Sequence, residues 1–502
     1  MLSRGKLPKT TPCSTVQAYN GCGGRLPLEV TPVPPPRSPE ARIAQLRRIF
    51  MPRAIAVVGA SPTPGKLGSI IVANLKGAGY VGNIYPVNPN FAEVGGLKCY
   101  PSLEAVPDDT DVAVVAIPAP AIAGLAPAAG KKGIAGLVVI SSGFAEVGNR
   151  PLQDELVQAA RAHNLRILGP NIYGYFYTPL KLCATFAMPY TEPGGVALVS
   201  QSGGIANAIL GYSRSRRMGV SAIVGLGNKA DIDDSDALEF FGQDPHTQVI
   251  ALHIEGLKDG RGFLETAKRV SKVKPVVVLK GGRSSAGARA ASSHTASLAG
   301  EDRVYDAAFR QAGLIRARTL EDLLDWSRAV QLLPDPAGEN VLIVCGAGGL
   351  GVLMADACAD HGLSLPALPP DLHQAMKACI PPFGSANNPI DVTGGEGPET
   401  YRKVITLALN DSRVHALVFG YWHTPLAPPG AFAKLLIELV QEAKDKGIVK
   451  PMVAGLVGDV EVEEAVRHLE ANGIPAYAYA VEQAIGALAA RYKFWRGKRK
   501  DA

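Results

Sequence analysis

AIAVVGASPTPGKLGSIIVANLKGAG, residues 54–79, is the stretch on which the reading of the fold turns. AIAVVGA at 54–60 is an uninterrupted apolar run of the kind that forms a strand buried on both faces. GASPTPGKLG at 59–68 is a glycine-rich turn, and SIIVANLKGAG at 69–79 is a helical stretch ending in glycine. Strand, turn and helix in this order open a parallel sheet that helices cover on both faces. The scheme then repeats outward along the chain in three blocks. The first runs from Arg53 to about Pro179 and continues with strands at NIYPVN (83–88), VAVVAIP (112–118), GLVVISSG (136–143) and RILGPN (166–171). The second, from Gly195 to about Leu333, has VALVSQSG (196–203), VSAIVGLG (220–227), VIALHIEG (249–256) and PVVVLKGG (275–282). After the linker PDPAGEN (334–340), the third has VLIVCGAG (341–348), ALVFGYW (416–422) and PMVAGLVG (451–458), then a helix and the basic tail RGKRKDA, read as a solvated end.

A chain of 502 residues agrees with about three domains. Charged residues at 19% and apolar residues at 47% describe a packed globular protein. The net charge of +6 is small for this length, and no basic stripe with interleaved aromatics is present, so nucleic acid is not the expected partner. Seven scattered cysteines without a CxxC suggest neither a disulfide framework nor a zinc cluster. Residues 112–130 carry no charge over nearly a membrane-spanning length, but Pro118, Pro120 and Pro127 argue for a buried strand, a loop and a packed helix instead. The first 28 residues hold four basic groups and no acid, and they lack the apolar core of a secretory signal. A cytoplasmic protein is expected, with VTPVPPPRSPEAR at 30–42 as a Pro-rich linker after a leader or disordered arm.

The turn at 59–68 places backbone amides at a helix start, a ready anion site. It is not a Walker A loop, because Leu67 follows Gly65-Lys66 and Ala60 stands where the first glycine belongs. Asn88 ends the second strand where a nicotinamide fold normally carries Asp or Glu, and a neutral side chain there suits a ligand with a phosphate on its ribose, such as coenzyme A. The alternative is a tight turn without a ligand. In the second block, Ser200-Gln201-Ser202-Gly203-Gly204 joins a buried strand to the helix IANAILGYSRSRR, a second helix start able to hold an anion. Glu255 ends the next-but-one strand, where residues of open α/β sites gather, although a surface acid is the plain alternative. GGRSSAGARAASSHTASLAG at 281–300 carries His294 in an adaptable loop of small residues. A carboxylate on one ring nitrogen would fix the tautomer of such a histidine and leave the other nitrogen to attack.

The stretches at 225–263 and 275–316 closely resemble the NDP-forming acyl-CoA synthetase superfamily, which includes ADP-forming acetate–CoA ligase and succinyl-CoA synthetase. The resemblance covers about residues 45–490: VVGASPTPGKLG, YPVNPN, VAIPAPAI, SSGFAE and GPN, then SQSGG and SHTASLAG, then VLIVCGAGGLG and NNPIDVTGG. It implies an α/β protein with a Rossmann-like CoA-binding domain (45–182) followed by two flavodoxin-like, doubly wound domains (183–335 and 336–502), after an extension at 1–44. By the same resemblance His294 is phosphorylated during turnover and Glu255 steadies it. Coenzyme A falls to Gly59, Ser61, Gly65, Lys66, Gly68, Asn88, Pro118, Ser142, Gly143 and Asn171. Phosphate falls to Ser200, Gln201, Ser202, Gly203 and Gly204, and to Gly394 and Gly395, which precede a second helix aimed at the same group.

The family also needs an ATP-grasp module, and no segment is left over to form one. The resemblance therefore implies the alpha subunit of an ADP-forming enzyme whose beta subunit carries ATP and magnesium, most simply as α2β2. Its substrates are a small carboxylic acid and CoA, and it needs no bound metal of its own. The nine histidines show no zinc spacing, and GAGGLG at 346–351 is read as close helix packing rather than a nicotinamide site. One departure stands out: the family's GPNCLG is here GPNIYG followed by Tyr175, Phe176 and Tyr177, either lining the acyl end or filling the core. A non-catalytic CoA-binding regulatory protein is the alternative, and the intact histidine loop counts against it.

Overall fold

The computed structural model describes residues 38–295 and 301–500. Three parallel sheets form three units. The first has strand order Asn83–Val87, Ala54–Val58, Val112–Val115, Gly136–Val139, Arg166–Leu168. The third has Ile390–Asp391, Val341–Cys345, Ala416–Trp422, Met452–Val457, Ala476–Ala478. The parallel strands of the second run Val220–Gly225, Pro193–Ser200, Val249–Ile254, Val276–Lys280, Ile315–Ala317. In every case the first strand lies between the second and the third. The chain therefore reverses direction across the sheet between its first and third strands, and the loops leaving those two strands face a common crevice. In the first unit these loops begin at Gly59 and Ala116, and in the second at Gln201 and Glu255.

The aromatic run resolves as core. Gly174–Tyr177 and Leu182–Thr185 form an antiparallel hairpin that extends the second sheet beyond Val220–Gly225. Tyr175, Phe176 and Tyr177 are fully buried. The Tyr175 hydroxyl donates to the Ile49 carbonyl at 2.8 Å and the Tyr177 hydroxyl to Asp244 at 2.9 Å, so each buried phenol has an acceptor.

The Pro-rich stretch is only partly a linker. Pro39–Phe50 is a helix whose signals are local: Ser38 accepts from the Ala41 amide at 3.2 Å, Pro39 takes the first position, and Arg47 and Arg48 sit in the last turn. It clasps the first two units together. Gln45 donates to the Ala135 carbonyl at 2.7 Å and Arg48 to Asp111 at 2.7 Å, while Arg42 reaches Asp236 of the second unit at 2.6 Å. Phe50 packs on Phe240 with ring centroids 4.8 Å apart. Beneath it the buried Arg166 spans Asp231 at 2.6 Å and Asp236 at 2.7 Å.

The basic tail is more than a solvated end. Up to Lys500 it belongs to the helix Val481–Lys500, which packs along Leu320–Leu332 of the second unit. Arg491 meets Asp335 at 2.7 Å and Arg496 meets Glu339 at 2.6 Å, both in the PDPAGEN connection, so the last helix fixes the link to the third unit.

Candidate functional site

In the first unit two glycines are required by space. A Cβ on Gly59, whose φ is +89°, would lie 2.6 Å from the Ala116 carbonyl oxygen, and one on Gly68 would lie 2.0 Å from that of Gly59. The helix Leu67–Ala78 thus starts hard against the strand end. No side chain caps it and its first turn holds no acid, which leaves its amides for an anion. Gly65 takes φ +83° in the turn before it, Lys66 is the exposed residue at the helix boundary, and Ser61 accepts from the Thr63 amide at 3.1 Å. Asn88 donates to the Ala60 carbonyl at 2.7 Å and accepts from the Asn90 amide at 3.0 Å, tying the second strand to the glycine turn. Gly59 and Asn88 line a cavity of about 390 Å³. Gly68→Ala is expected to weaken CoA binding at least about tenfold, a loss of some 1.4 kcal/mol readable by calorimetry, because the helix start must retreat from the turn.

That cavity shares Ile117 with a larger cleft of about 1000 Å³ between the first and second units. Pro118, Ser142 and Asn171 line one side of the cleft, and Gln201, Ser202, Gly203 and Gly204 line the other. Glu146, not singled out in the sequence, braces the seam. It accepts from the amides of Gly143 at 2.6 Å and Phe144 at 3.2 Å, and from the Asn228 side chain at 2.6 Å. Burial opposes its charge, but these donors outweigh burial and hold the carboxyl below its ordinary range. Asn228 in turn accepts from Asn171 at 3.4 Å. The sequence hints were an acid in the turn that follows a buried strand and its place at the end of the family-like stretch SSGFAE.

The floor is built by the second unit. Gln201 Oε1 accepts from the amides of Glu255 at 3.1 Å and Gly256 at 3.3 Å, joining the two loops of the crevice. The Ser200 hydroxyl donates to the Ser202 carbonyl at 2.9 Å, which spends its only proton, so His253 Nδ1, 3.2 Å away, is the donor in that pair. His253 is buried and its pKa falls to about 4, through burial first and then the Lys229 and Lys280 charges, so the ring is neutral. Its role was invisible in sequence. Lys229, also buried, donates to the Gly256 carbonyl at 2.6 Å and Asp234 at 2.7 Å. Ser202 caps the helix Gly203–Ser215.

Glu255 is buried beside this floor, and a Cβ on Gly281 would lie 3.7 Å from its Cγ and 3.5 Å from His253 Nε2. The chain leaves Gly281 into the helix Ser285–Thr295, which carries His294 and touches the turn Ala145–Val147 of the first unit. The side chain of His294 and residues 296–300 lie outside what the structure describes. Gly394 and Gly395 do not line the cleft. They precede the helix Pro398–Asn410 in the third unit, where a Cβ on Gly394 would lie 2.2 Å from the Trp422 ring.

Comparison with known proteins agrees with this division of labour. Residues 53–177 match the CoA binding domain family, 193–330 the succinyl-CoA ligase like flavodoxin domain and 341–500 the Ligase-CoA domain. The alpha subunit of ADP-forming acetate–CoA ligase I from Pyrococcus furiosus is 44% identical over 467 residues, covering 91% of this chain and 99% of that one. The chain belongs to the ADP-forming acetate–CoA ligase family. Another ADP-forming acetate–CoA ligase, from Methanocaldococcus jannaschii, is 42% identical over 91% of the chain, which spans only 64% of that protein's length. Among solved structures, the dinucleotide forming acetyl-coenzyme A synthetase 1 of Ca. Korarchaeum cryptofilum, in complex with phosphate and ADP, matches with a TM-score of 0.87 at 44% identity, over 90% of this chain and 97% of that one. Among the described residues no helix is long and apolar enough to cross a membrane.

Proposed function

We propose that this chain is the alpha subunit of an ADP-forming acyl-CoA synthetase, interconverting a carboxylic acid, CoA and ATP with acyl-CoA, ADP and phosphate. The observation that carries the reading is the adjoining pair of cavities: the helix start at Ser202–Gly204 lines a cleft that shares Ile117 with the cavity at the Gly59 turn, and the buried Glu255 lies beside it, its amide bound to Gln201. In the ATP-yielding direction an oxygen of phosphate displaces the CoA thiolate from the acyl carbon. A His294 ring nitrogen then attacks phosphorus, the bond to the carboxylate oxygen breaks, and the phosphoryl group stays on histidine until a nucleoside diphosphate takes it. The amides at Gly203 and Gly204 stabilise the negative oxygens, and Glu255 holds the ring by its other nitrogen.

CoA lies along Gly59, Ser61, Gly65, Lys66, Gly68 and Asn88, with its thiol end toward Pro118, Ser142, Gly143 and Asn171. ATP and magnesium belong to an ATP-grasp beta subunit, with α2β2 as the assembly and the cytoplasm as the location. The three units take the boundaries 45–182, 183–335 and 336–502 along the chain, except that the hairpin Gly174–Thr185 joins the sheet of the second. Incubated with ATP and magnesium, the chain is expected to gain one acid-labile phosphoryl group, about 80 Da by intact mass, only when the beta subunit is added. Labelling or ligase turnover by the chain alone would overturn the partner requirement. No label with a competent partner would leave a CoA-binding regulatory protein.

A further inference from the structure

We infer that the segment 185–188 selects the acid: Phe186 and Met188 form an apolar wall for the acyl group, which favours monocarboxylic acids with a hydrocarbon portion larger than a methyl group. This rests on the synthetase reading above. The segment follows the hairpin strand Leu182–Thr185 and bends at Phe186 and Ala187, and Phe186, Ala187 and Met188 all line the cleft. Residues 185 and 187 are pinned. Asn74, buried within the helix Leu67–Ala78, donates from one amide group to the carbonyls of both Thr185 and Ala187, each at 2.8 Å. The Thr185 hydroxyl donates to the Tyr173 carbonyl at 2.6 Å and accepts from the Ala187 amide at 3.0 Å. An asparagine inside a helix is a poor helix former, and here its side chain is spent wholly on fixing this segment.

Phe186 and Met188 are thereby turned into the cleft, where both line the wall while remaining 42% and 68% exposed. Exposed apolar surface fixed in place inside a concave site is surface awaiting a hydrocarbon ligand. The phosphate end is close by. The Phe186 ring stands edge-on to Tyr173 with centroids 6.5 Å apart, and the Tyr173 Cβ is 3.6 Å from where a Cβ on Gly203 would lie. A carboxyl group held at the start of the helix Gly203–Ser215 therefore directs its chain along Tyr173 toward Phe186. Among the described residues lining the cleft none carries a charge, so a second carboxylate on the acid would find no cation among them.

The test titrates the full chain with CoA, acetyl-CoA, hexanoyl-CoA and succinyl-CoA by calorimetry. Hexanoyl-CoA is expected to bind about tenfold tighter than acetyl-CoA, as half-burial of four added methylenes gives, and succinyl-CoA no tighter than acetyl-CoA. In Phe186→Ala/Met188→Ala, with its melting temperature unchanged, the hexanoyl-to-acetyl ratio is expected to fall toward one. Equal affinities in the wild type, tighter succinyl-CoA binding, or a ratio that survives the double substitution would overturn the wall. Failure of CoA itself to bind would overturn the synthetase reading and the wall with it.

Discussion

Replacing His294 by asparagine is expected to lower turnover with the beta subunit at least about a thousandfold and to abolish the acid-labile label. Asparagine keeps the approximate volume and a polar head, but its amide nitrogen has no lone pair able to attack phosphorus. Everything else in the reaction depends on that bond, because a direct transfer from acyl phosphate to a nucleotide on a separate subunit would need the two ligands in contact. CoA binding is expected to survive, since the residues of the Gly59 turn and the cleft wall belong to other segments. The two readouts together discriminate: loss of label with CoA affinity retained supports the nucleophile, and unchanged turnover removes it.

Arg166→Met is expected to cost about 3–5 kcal/mol and to lower the melting temperature by roughly 10 °C at neutral pH. The guanidinium is buried between Asp231 and Asp236, and its removal leaves two carboxylates facing each other beneath the clasp helix with only Arg42 in partial compensation. The loss has a pH signature. Burial raises the Asp236 pKa, but the Arg166 charge and the hydrogen bonds from Arg42 and Arg166 outweigh it, so the folded value lies below the ordinary one. A depressed carboxylate contributes stability above its unfolded pKa and loses it as pH falls through the folded value. The gap between wild type and variant should therefore be wide at pH 7 and narrow on acidification below about pH 4. A variant melting within about 2 °C of the wild type at pH 7 would show that the pair contributes little.

The parts of the fold legible in sequence are those coded by neighbours along the chain. Apolar runs gave the parallel strands, and the glycine-rich turns gave the crevice ends, because a turn between buried strand and helix needs Gly59 and Gly68 whatever surrounds it. The segments that went astray depend on distant partners. GYFY at 174–177 is an alternating or a continuous apolar run equally well, and only Val220–Gly225 makes it an antiparallel edge. The helix Pro39–Phe50 carried its own start signal in Ser38 and Pro39, which the neighbouring prolines masked. At the site, strand order alone sets Gln201 beside Glu255. The neutral ring of His253 and the braced Glu146 arise from burial and cross-unit donors, which no spacing in the sequence encodes. Asn74 is the clearest case: a residue that reads as a blemish in a helix holds the segment that lines the cleft.

The bracing of Glu146 bears on salinity. Three donors from protein amides hold it, and the described residues lining the cleft carry no ionised side chain. At molar salt the screening length contracts to about 3 Å, which erases exposed ion pairs and leaves hydrogen bonds of this kind in place. The Glu146 brace across the seam therefore holds as the ionic strength of the surroundings climbs. What salt can weaken lies at the helix starts at Leu67 and Gly203, at the exposed Lys66, and in the half-exposed pairs Arg42–Asp236 and Arg48–Asp111 of the clasp helix. A protein built this way separates the parts of its affinity that depend on the medium from the parts that depend on fit.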